Sequence, residues 1–301
     1  MKAFVYNENG DIGYSSDGTS VRQPSVEQVQ VKVLAASINP VDLGLPHAPI
    51  VKQNARNRPI GFDFAGEVTI GCGSFCEYTV ADVSRITHIP KGMSPVVAAS
   101  LPVASLASLQ ALNKGEGLAP GKSILILGAS GGTGASAVQI AKAYGAKVYA
   151  VCSGRNAEYV KSLGADVVMD YTKEGFQLPN EQCPPNSVDM ALDCVKNPNY
   201  EPMARKTFKE GGKYVALGSD SLTDRMAYFM EPFLPFPVQR PNYCQVLVQV
   251  NTKELDELSD LVTSGKLKIT IDEMPFTEEG CESAVQAIKG RRARGKVVIV
   301  M

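Results

Sequence analysis

The first hundred residues alternate short extended runs with turn residues. The runs are QVQVKVLAA, near Val29 to Ala36, and then FAGEV and FCEYTV, between Phe64 and Val80. Alternating apolar and polar positions bounded by turn formers are typical of half-buried strands. The pattern therefore predicts a β-rich, barrel-like domain over residues 1–98.

The pattern changes at Leu101, where LPVASLASLQAL has small and apolar residues at helical spacing. Apolar strands then alternate with helices, which is typical of a parallel sheet covered on both faces. Six strands are predicted: SILIL (Ser123–Leu127), KVYAV (Lys147–Val151), DVVM (Asp166–Met169), DMALD (Asp189–Asp193), KYVAL from Lys213 and QVLVQV from Gln245. This arrangement predicts an α/β fold with a doubly wound sheet over 99–264, and a strand-like tail, 265–301, that returns to the first domain.

The composition limits the possible partners. The 301 residues are 44% hydrophobic and carry 30 basic and 31 acidic side chains, so no overall field attracts a nucleic acid. The basic stretch GRRARGK after Lys289 reads as a solvated turn. The first ten residues lack the apolar core of a signal peptide, and no apolar run reaches the roughly 18 residues of a membrane span. We expect a cytoplasmic protein with a small-molecule partner.

The cysteines and histidines do not suggest a metal site. Seven cysteines are scattered without a CxxC pair, and His47 and His88 lie far apart. Structural and catalytic zinc sites need closely spaced ligand groups. The sequence predicts neither a disulfide framework nor a bound metal.

A glycine-rich run, GASGGTG, extends from Gly128 to Gly134, directly after an apolar strand and before a helix. In this context the run predicts a dinucleotide-binding loop. Gly128 makes the tight turn, Gly131 and Gly132 let backbone N–H groups approach a pyrophosphate, and Gly134 allows the helix to pack closely on the sheet.

The end of the second strand bears on the choice of dinucleotide. NAD sites place Asp or Glu about 20 residues after the glycines, to bind the ribose 2′-hydroxyl. Here the strand ends in VCSGRN, with Ser153 and Arg155 where the acid is expected. Arg155 is able to form charge-assisted bonds to a 2′-phosphate, so the sequence favours NADPH, although an arginine after a strand is often only solvated.

Several segments together resemble the medium-chain dehydrogenase/reductase superfamily and, within it, the zinc-free quinone oxidoreductases. The segments are SINPVD at Ser37, GFDFAGEV at Gly61, LPVASLASLQAL at Leu101, GASGGTG at Gly128, CSGRNAEYVKSLGADVVMDY at Cys152 and RGKVVIV at Arg294. The stretch from Cys152 is similar to the branch of chloroplast-envelope quinone oxidoreductase homologues. The resemblance implies a GroES-like catalytic domain joined to a Rossmann domain, with the nicotinamide and the substrate in the cleft between them, and a homodimer.

The resemblance also implies roles for particular residues. Asn39 would lie near the nicotinamide and the substrate. The implied cofactor contacts fall at the pyrophosphate loop, at the 2′-phosphate and at the nicotinamide pocket: Gly128, Ser130, Gly131, Gly132, Thr133 and Gly134; Ser153, Arg155 and Tyr171; and Cys194, Val195, Leu217 and Gly218.

Three departures from the family pattern bear on catalysis. Gly44 stands where related enzymes often have Tyr or Lys, and Ala107 replaces a threonine, leaving Ser105 or Ser108 as possible substitutes. The segment near 68–76 is also shorter than in relatives, by roughly 20 residues, which exceeds ordinary loop variation.

The positions of the catalytic zinc ligands in alcohol dehydrogenases of the superfamily correspond to Asn39 and Phe62, and neither is a zinc ligand. Without a Lewis acid, the hydride acceptor has to spread its own developing charge, as quinones and enones do. Asn39 is the first candidate donor to the resulting oxyanion, or it supports the turn before Pro40. The leading hypothesis is an NADPH-dependent quinone or enone reductase. An alkenal double-bond reductase and a non-catalytic NADPH-binding sensor or scaffold remain open.

Overall fold

The computed structural model describes residues 1–6, 12–16, 23–44, 59–69, 75–217, 242–290 and 293–301. His47, Gly218, Arg291 and Arg292 lie outside the described residues. Most of the shortened segment near 68–76 lies outside them as well.

The described strands are β1 (Ala3–Tyr6), β2 (Ile12–Ser15), β3 (Gln28–Ile38), β4 (Asp63–Thr69), β5 (Tyr78–Asp82), β6 (Ser123–Leu127), β7 (Lys147–Cys152), β8 (Val167–Asp170), β9 (Val188–Asp193), β10 (Phe208–Leu217), β11 (Tyr243–Val246), β12 (Ile271–Pro275) and β13 (Lys296–Val300). The described α-helices are α1 (Pro40–Gly44), α2 (Pro95–Ser100), α3 (Pro102–Lys114), α4 (Gly132–Ala143), α5 (Ala157–Ser162), α6 (Tyr200–Arg205), α7 (Thr252–Thr263) and α8 (Glu278–Lys289). The described 3-10 helices span Val83–Arg85 and Gly154–Asn156.

The chain forms two compact units. The β-rich unit comprises Met1–Leu106, Val250–Ser264 and Ile269–Met301, and the parallel-sheet unit comprises Ala107–Gln249 and Gly265–Lys268. Helix α7 belongs to the β-rich unit. Its residue Thr252 donates a hydrogen bond from Oγ1 to the carbonyl oxygen of Ile86 at 2.9 Å. The boundaries at residues 98 and 264 stay a prediction.

The β-rich unit is built around the long strand β3. Antiparallel partners of β3 are β4, β5 and β13, and β12 runs parallel to β13 at the far side. A register shift between Val33 and Ala35 interrupts the β3–β4 ladder. The end of the chain is therefore hydrogen-bonded to a strand that forms near its beginning.

The parallel-sheet unit contains a six-stranded sheet in the order β11-β10-β9-β6-β7-β8, and every pair in it is parallel. This is the strand order of a doubly wound, Rossmann-type fold. The central strand β6, sequence SILIL, is buried along its whole length, as expected where helices cover both faces. The predicted fold class, a β-rich domain with a doubly wound sheet, is confirmed.

The sixth strand differs from the prediction. QVLVQV was expected to be extended from Gln245 onward, but β11 begins at Tyr243 and ends at Val246. Its parallel ladder with β10 stops at the pair Leu217 and Val246. Beyond it, the backbone of Gln249 both donates to and accepts from the side-chain amide of Gln110, which takes the place of a strand partner.

No helix in the described part of the chain combines the length and apolar character needed to cross a bilayer.

Candidate cofactor and active site

The glycine-rich loop lies where the strand order of the parallel sheet reverses, between β6 and β9. Gly128 follows β6 directly and has a φ of +86°, a conformation that favours glycine. A Cβ at Gly128 would lie 2.4 Å from Cγ2 of Val195, which follows β9. Both the backbone conformation and the neighbouring strand end therefore require glycine here.

Two other glycines of the loop, Gly131 and Gly134, have different surroundings. A Cβ on Gly134 would lie 2.2 Å from the carbonyl oxygen of Gly128 and 2.8 Å from Cα of Ala129, so Gly134 allows α4 to pack on the turn. A Cβ on Gly131 would find its nearest atom 3.9 Å away. Gly131 therefore keeps space open in front of α4 rather than relieving a contact within the fold.

The beginning of α4 is suited to an anion. Its N-cap residue, Gly131, has no side chain to cap the helix, so the first N–H groups of α4 are left for water or a ligand. Ser108 Oγ donates to the carbonyl oxygen of Thr133 at 2.7 Å and holds the loop from the side of α3. The arrangement fits a pyrophosphate.

The three predicted 2′-phosphate residues lie at the ends of β7 and β8, which are neighbours in the sheet. Ser153 follows β7 and is 8% exposed, whereas Arg155 is exposed on the 3-10 helix that comes next. Tyr171 follows β8, is 48% exposed, and its N–H donates to the carbonyl oxygen of Cys152 at 3.1 Å. The structure thus brings these residues to one edge of the sheet.

A residue that sequence reasoning missed connects this edge to the glycine-rich loop. Asn156 is 5% exposed, and its Nδ2 donates to Oγ of Ser130 at 3.0 Å and to Oγ of Ser153 at 3.3 Å. No local pattern marks Asn156, because Ser130 precedes it by 26 residues.

An acid also lies beside the 2′-phosphate residues. A Cβ on Gly154 would be 2.3 Å from Oδ2 of Asp170, and Thr172 donates to Oδ1 through both its N–H and its hydroxyl. Hydrogen bonds from Thr172 lower the pKa of Asp170, so this carboxyl group is ionised and bonded within its own loop.

The end of β9 is held by Asp193, a second residue that the sequence did not single out. Its Oδ1 accepts from the N–H groups of Val195 and Lys196 at 2.8 and 2.9 Å, and its Oδ2 accepts from the hydroxyl of Tyr214 on β10 at 2.7 Å. Asp193 therefore fixes the turn that carries the predicted nicotinamide residue Val195, which is 38% exposed.

Two other predicted nicotinamide residues lie at the same carboxyl edge. Cys194 donates its N–H to the carbonyl oxygen of Leu127 at 3.1 Å, and Leu217 ends β10. Leu127 ends β6, so both residues lie at strand ends, the edge at which doubly wound sheets bind nucleotides.

In the β-rich unit, Asn39 belongs to a buried polar cluster that comprises Asn39, Asp42, Asp63 and Lys296, called the Asn39 cluster below. Asn39 Nδ2 donates to Oδ2 of Asp63 at 2.9 Å and to the carbonyl oxygen of Ser37 at 3.4 Å. Its Oδ1 accepts from Nζ of Lys296 at 2.5 Å. The amide of Asn39 is thus used inside the unit, which favours a structural role over the predicted role as a donor to substrate.

The Asn39 cluster contains two carboxyl groups and one ammonium group. Asp63 is fully buried and accepts from Lys296 Nζ at 3.4 Å and from the N–H of Val103 at 2.8 Å. Burial, reinforced by the charge of Asp63, raises the pKa of Asp42 to about 7. Asp42 therefore keeps a proton well above the pH at which an exposed aspartate loses it.

Asp42 also shows why α1 begins at Pro40. Its Oδ2 accepts from the backbone N–H of Asn39 at 2.6 Å, and the hydroxyl of Tyr6 donates to its carbonyl oxygen. An N3 side chain that reaches back to the N-cap residue, with proline at N1, is a recognised helix-start signal. The motif NPVD carries that signal, which sequence reasoning did not use.

The substituted positions at which the sequence departs from the family pattern lie in two helices. Gly44 ends α1, and Ala107 is buried in α3. Ser105 and Ser108, the possible substitutes for the family threonine, are both fully buried in the same helix.

The two positions that the resemblance assigns to zinc ligands carry side chains that do not bind zinc. Within the residues that the structure describes, no three His, Cys, Asp or Glu side chains are grouped closely enough to hold a metal. Of the two positions that the resemblance assigns to zinc ligands, Asn39 is bonded to Asp63 and Lys296, and Phe62 is 52% exposed. An amide in this setting and a phenyl ring supply no zinc ligand.

Comparisons with known proteins identify relatives over nearly the whole chain. Residues 163–299 match the family model described as zinc-binding dehydrogenase. The NADPH-dependent alkenal/one oxidoreductase, chloroplastic, of Arabidopsis thaliana is 31% identical over 99% of this chain and 79% of its own length. The chloroplast envelope quinone oxidoreductase homolog of the same plant is 30% identical over 99% of this chain and 98% of its length. The solved quinone oxidoreductase from Coxiella burnetii superposes with a TM-score of 0.83 at 27% identity, covering 100% of this chain and 99% of that one.

The fold, the glycine-rich loop and these relatives define an oxidoreductase that uses a nicotinamide cofactor. The chain belongs to the medium-chain dehydrogenase/reductase superfamily and is a member of its quinone oxidoreductase-like group.

The alignments with the two plant relatives extend over 335 and 330 residues, which is more than the 301 residues of this chain. The relatives therefore contain residues that have no counterpart here. The segment near 68–76 stays the predicted place of the shortening.

Proposed function

We propose that the protein is an NADPH-dependent, zinc-independent reductase that transfers hydride to quinones or conjugated enones. The observation that carries the cofactor assignment is the end of β7, where Ser153 and Arg155 stand in place of the acid of NAD-specific sites. The names of relatives, an NADPH-dependent alkenal/one oxidoreductase and a quinone oxidoreductase homolog, support the same assignment.

The chain's own residues would hold the cofactor from one end to the other. The first N–H groups of α4 bind the pyrophosphate, and Ser153, Arg155 and Tyr171 bind the 2′-phosphate. The strand ends that carry Cys194, Val195 and Leu217 border the nicotinamide. A contact of Gly218, which lies outside the described residues, stays a prediction. When bound, NADPH supplies the hydride.

The chemistry of the donor set favours a conjugated acceptor. Asn39 and Phe62 provide no Lewis acid, so an alkoxide receives no metal stabilisation from these positions. In a quinone or an enone, the charge that follows hydride addition is delocalised, and neutral hydrogen-bond donors are sufficient to stabilise it. Hydride acceptance by such a compound does not require Asn39 to be the donor.

Two alternatives share the same cofactor residues. An alkenal double-bond reductase would differ only in the shape of the substrate pocket, and the name of the plant alkenal/one relative supports it. A non-catalytic NADPH-binding sensor or scaffold is supported by Gly44 and Ala107, which replace polar residues of related enzymes. We still predict a homodimer in the cytoplasm. Light scattering measures the oligomeric state.

The deciding experiment is a panel of hydride acceptors with NADPH. We expect the purified protein to oxidise NADPH with para-benzoquinone, phenanthrenequinone or simple enones, and to reduce NADP⁺ negligibly with simple alcohols, because only conjugated acceptors delocalise the oxyanion. The measurement is NADPH consumption by absorbance, with cofactor binding measured on the same preparation. Elemental analysis accompanies the panel.

Each result of the panel has a distinct meaning. Bound NADPH that no acceptor consumes rejects the reductase and favours the sensor or scaffold. One tightly held zinc ion per chain, lost together with activity on chelation, rejects zinc independence and reopens alcohol oxidation.

A further inference from the structure

One side chain, Asn156, joins the two loops that bind phosphate groups in the proposed function. It ends the 3-10 helix after β7, and its N–H donates to the carbonyl oxygen of Ser153 at 2.8 Å. Its side-chain Nδ2 donates to Ser130 Oγ, in the glycine-rich loop, and to Ser153 Oγ, in the 2′-phosphate loop. Because Asn156 is 5% exposed, these bonds form with little competition from water.

The direction of these bonds matters for anion binding. A serine hydroxyl has one hydrogen to donate and accepts through its oxygen, and an amide nitrogen has two hydrogens. Nδ2 of Asn156 therefore satisfies both serine oxygens as acceptors. Each hydroxyl hydrogen is then directed to another acceptor, and phosphate oxygens accept only.

We propose that Asn156 is a positioning residue that sets the hydroxyls of Ser130 and Ser153 as donors to the cofactor and thereby strengthens the preference for NADPH over NADH that Arg155 provides. This inference rests on the proposed function. Through Ser130 it acts on the pyrophosphate that both cofactors have, and through Ser153 on the 2′-phosphate that only NADPH has. The effect of Asn156 on the preference is therefore transmitted through Ser153.

Asn156→Asp reverses the direction of the hydrogen bonds and adds a negative charge. A carboxylate has no hydrogen to donate, so both serine hydroxyls turn to donate to it, and its charge repels the phosphates. We expect weaker binding of both cofactors and a fall of about tenfold or more in the NADPH-to-NADH affinity ratio. Asn156→Ala removes the donor without adding charge, and we expect a smaller fall.

The experiment measures NADPH and NADH dissociation constants by titration for the unmutated protein, Asn156→Asp, Asn156→Ala, Ser153→Ala and Ser153→Ala with Asn156→Ala. In the Ser153→Ala background, Asn156→Ala should no longer change the affinity ratio beyond about twofold, because the hydroxyl that transmits the effect is absent and no charge is added. Asn113→Asp, an exposed site on α3, introduces the same charge and should leave the ratio unchanged. Circular dichroism verifies folding, and Asn156→Ala carries the test if Asn156→Asp does not fold.

The inference and the proposed function fail in different ways. If the unmutated protein binds neither cofactor, the proposed function is rejected. If it prefers NADPH but the ratio is unchanged in both Asn156 variants, or if Asn156→Ala changes the ratio equally with and without Ser153, the positioning role is rejected and the cofactor assignment stands.

Discussion

At the scale of single residues, we expect Arg155 to distinguish a 2′-phosphate from a hydroxyl. Arg155 is exposed on the 3-10 helix that follows β7. A guanidinium forms bidentate, charge-assisted bonds to phosphate that a ribose hydroxyl cannot match. Asp170, ionised in the same region, works against a second negative charge, so we expect the arginine to supply most of the attraction for a 2′-phosphate.

We predict that the unmutated protein binds NADPH at least about tenfold more tightly than NADH and that Arg155→Ala removes most of this difference. The affinity for NADH should change little, because it lacks the group that Arg155 binds. Fluorescence titration with both cofactors measures the effect. Arg155→Lys, which keeps the charge but not the planar fork, should lie between the two proteins.

Arg85 offers a matched control for this substitution. It also lies on a 3-10 helix, in the β-rich unit, where its side chain is 66% exposed and pairs with Asp82 at 3.4 Å. Arg85→Ala should leave both affinities unchanged. Equal binding of NADPH and NADH by the unmutated protein would contradict the assignment.

At the scale of elements, two glycines of the turn between β6 and α4 have different roles, one in packing and one in leaving space for a ligand. Gly134 lies against the backbone of Gly128 and Ala129, whereas Gly131 has open space around its missing Cβ. Gly131 has a φ of −78° and a ψ of 169°, a conformation that alanine adopts without strain. The two glycines therefore predict opposite results for the same substitution.

Gly131→Ala should leave the protein about as stable as before, within about 1 kcal/mol, and weaken NADPH binding, because the new methyl group occupies the space in front of α4. Gly134→Ala should lower the free energy of unfolding by about 1–3 kcal/mol, because its Cβ meets backbone that cannot move freely. Urea unfolding and cofactor titration of both variants test this pair. A large loss of stability in Gly131→Ala with cofactor binding intact would refute the distinction.

At the scale of the whole molecule, the Asn39 cluster joins parts of the chain that are far apart in sequence. Asn39 precedes α1, Asp63 begins β4 and Lys296 begins β13, so the start of the chain is tied to its end. A buried ion pair is costly to desolvate, and removal of one partner leaves an uncompensated charge. The cluster therefore makes the stability of the fold depend on protonation.

We predict that part of the stability of the protein is lost as the pH rises from about 4 to about 7. The pKa of Asp42 is raised from 3.8 to about 7, so the folded state holds a proton that the unfolded state releases. Stability falls as the pH rises wherever the folded state binds more protons than the unfolded state. The full shift in the pKa of Asp42 corresponds to roughly 4 kcal/mol in the free energy of unfolding. The contribution is complete below pH 4 and is lost as the pH passes the folded pKa.

Asp42→Asn isolates this contribution, because an amide oxygen still accepts the N–H of Asn39 and carries no charge. The free energy of unfolding of this variant, minus that of the unmutated protein, should rise between pH 4 and 7. Asp272→Asn is the control, because Asp272 is exposed on β12 of the same unit. A difference that stays constant with pH for Asp42→Asn would show that Asp42 does not titrate in this range.

Much of the fold followed from local sequence patterns. The alternation of apolar strands and helices predicted β6 to β9 closely, because the side chains of a buried strand or helix repeat with the period of that element. The glycine-rich loop was predictable for a similar reason, since the positive φ of Gly128 is a requirement of its own turn. Asp42 was also predictable, because its contact with Asn39 is a helix-start signal within four residues.

Only the tertiary structure decided which residues distant in sequence come into contact. The sequence determined the order of the strands along the chain, the position of the glycine turn and the absence of an acid after β7. It did not determine that β11 would end at Val246, that Asn156 would reach Ser130, or that Lys296 would meet Asn39 and Asp63. Propensities and steric requirements act between neighbours along the chain, whereas these hydrogen bonds exist only after packing has brought separate elements together and excluded water from between them.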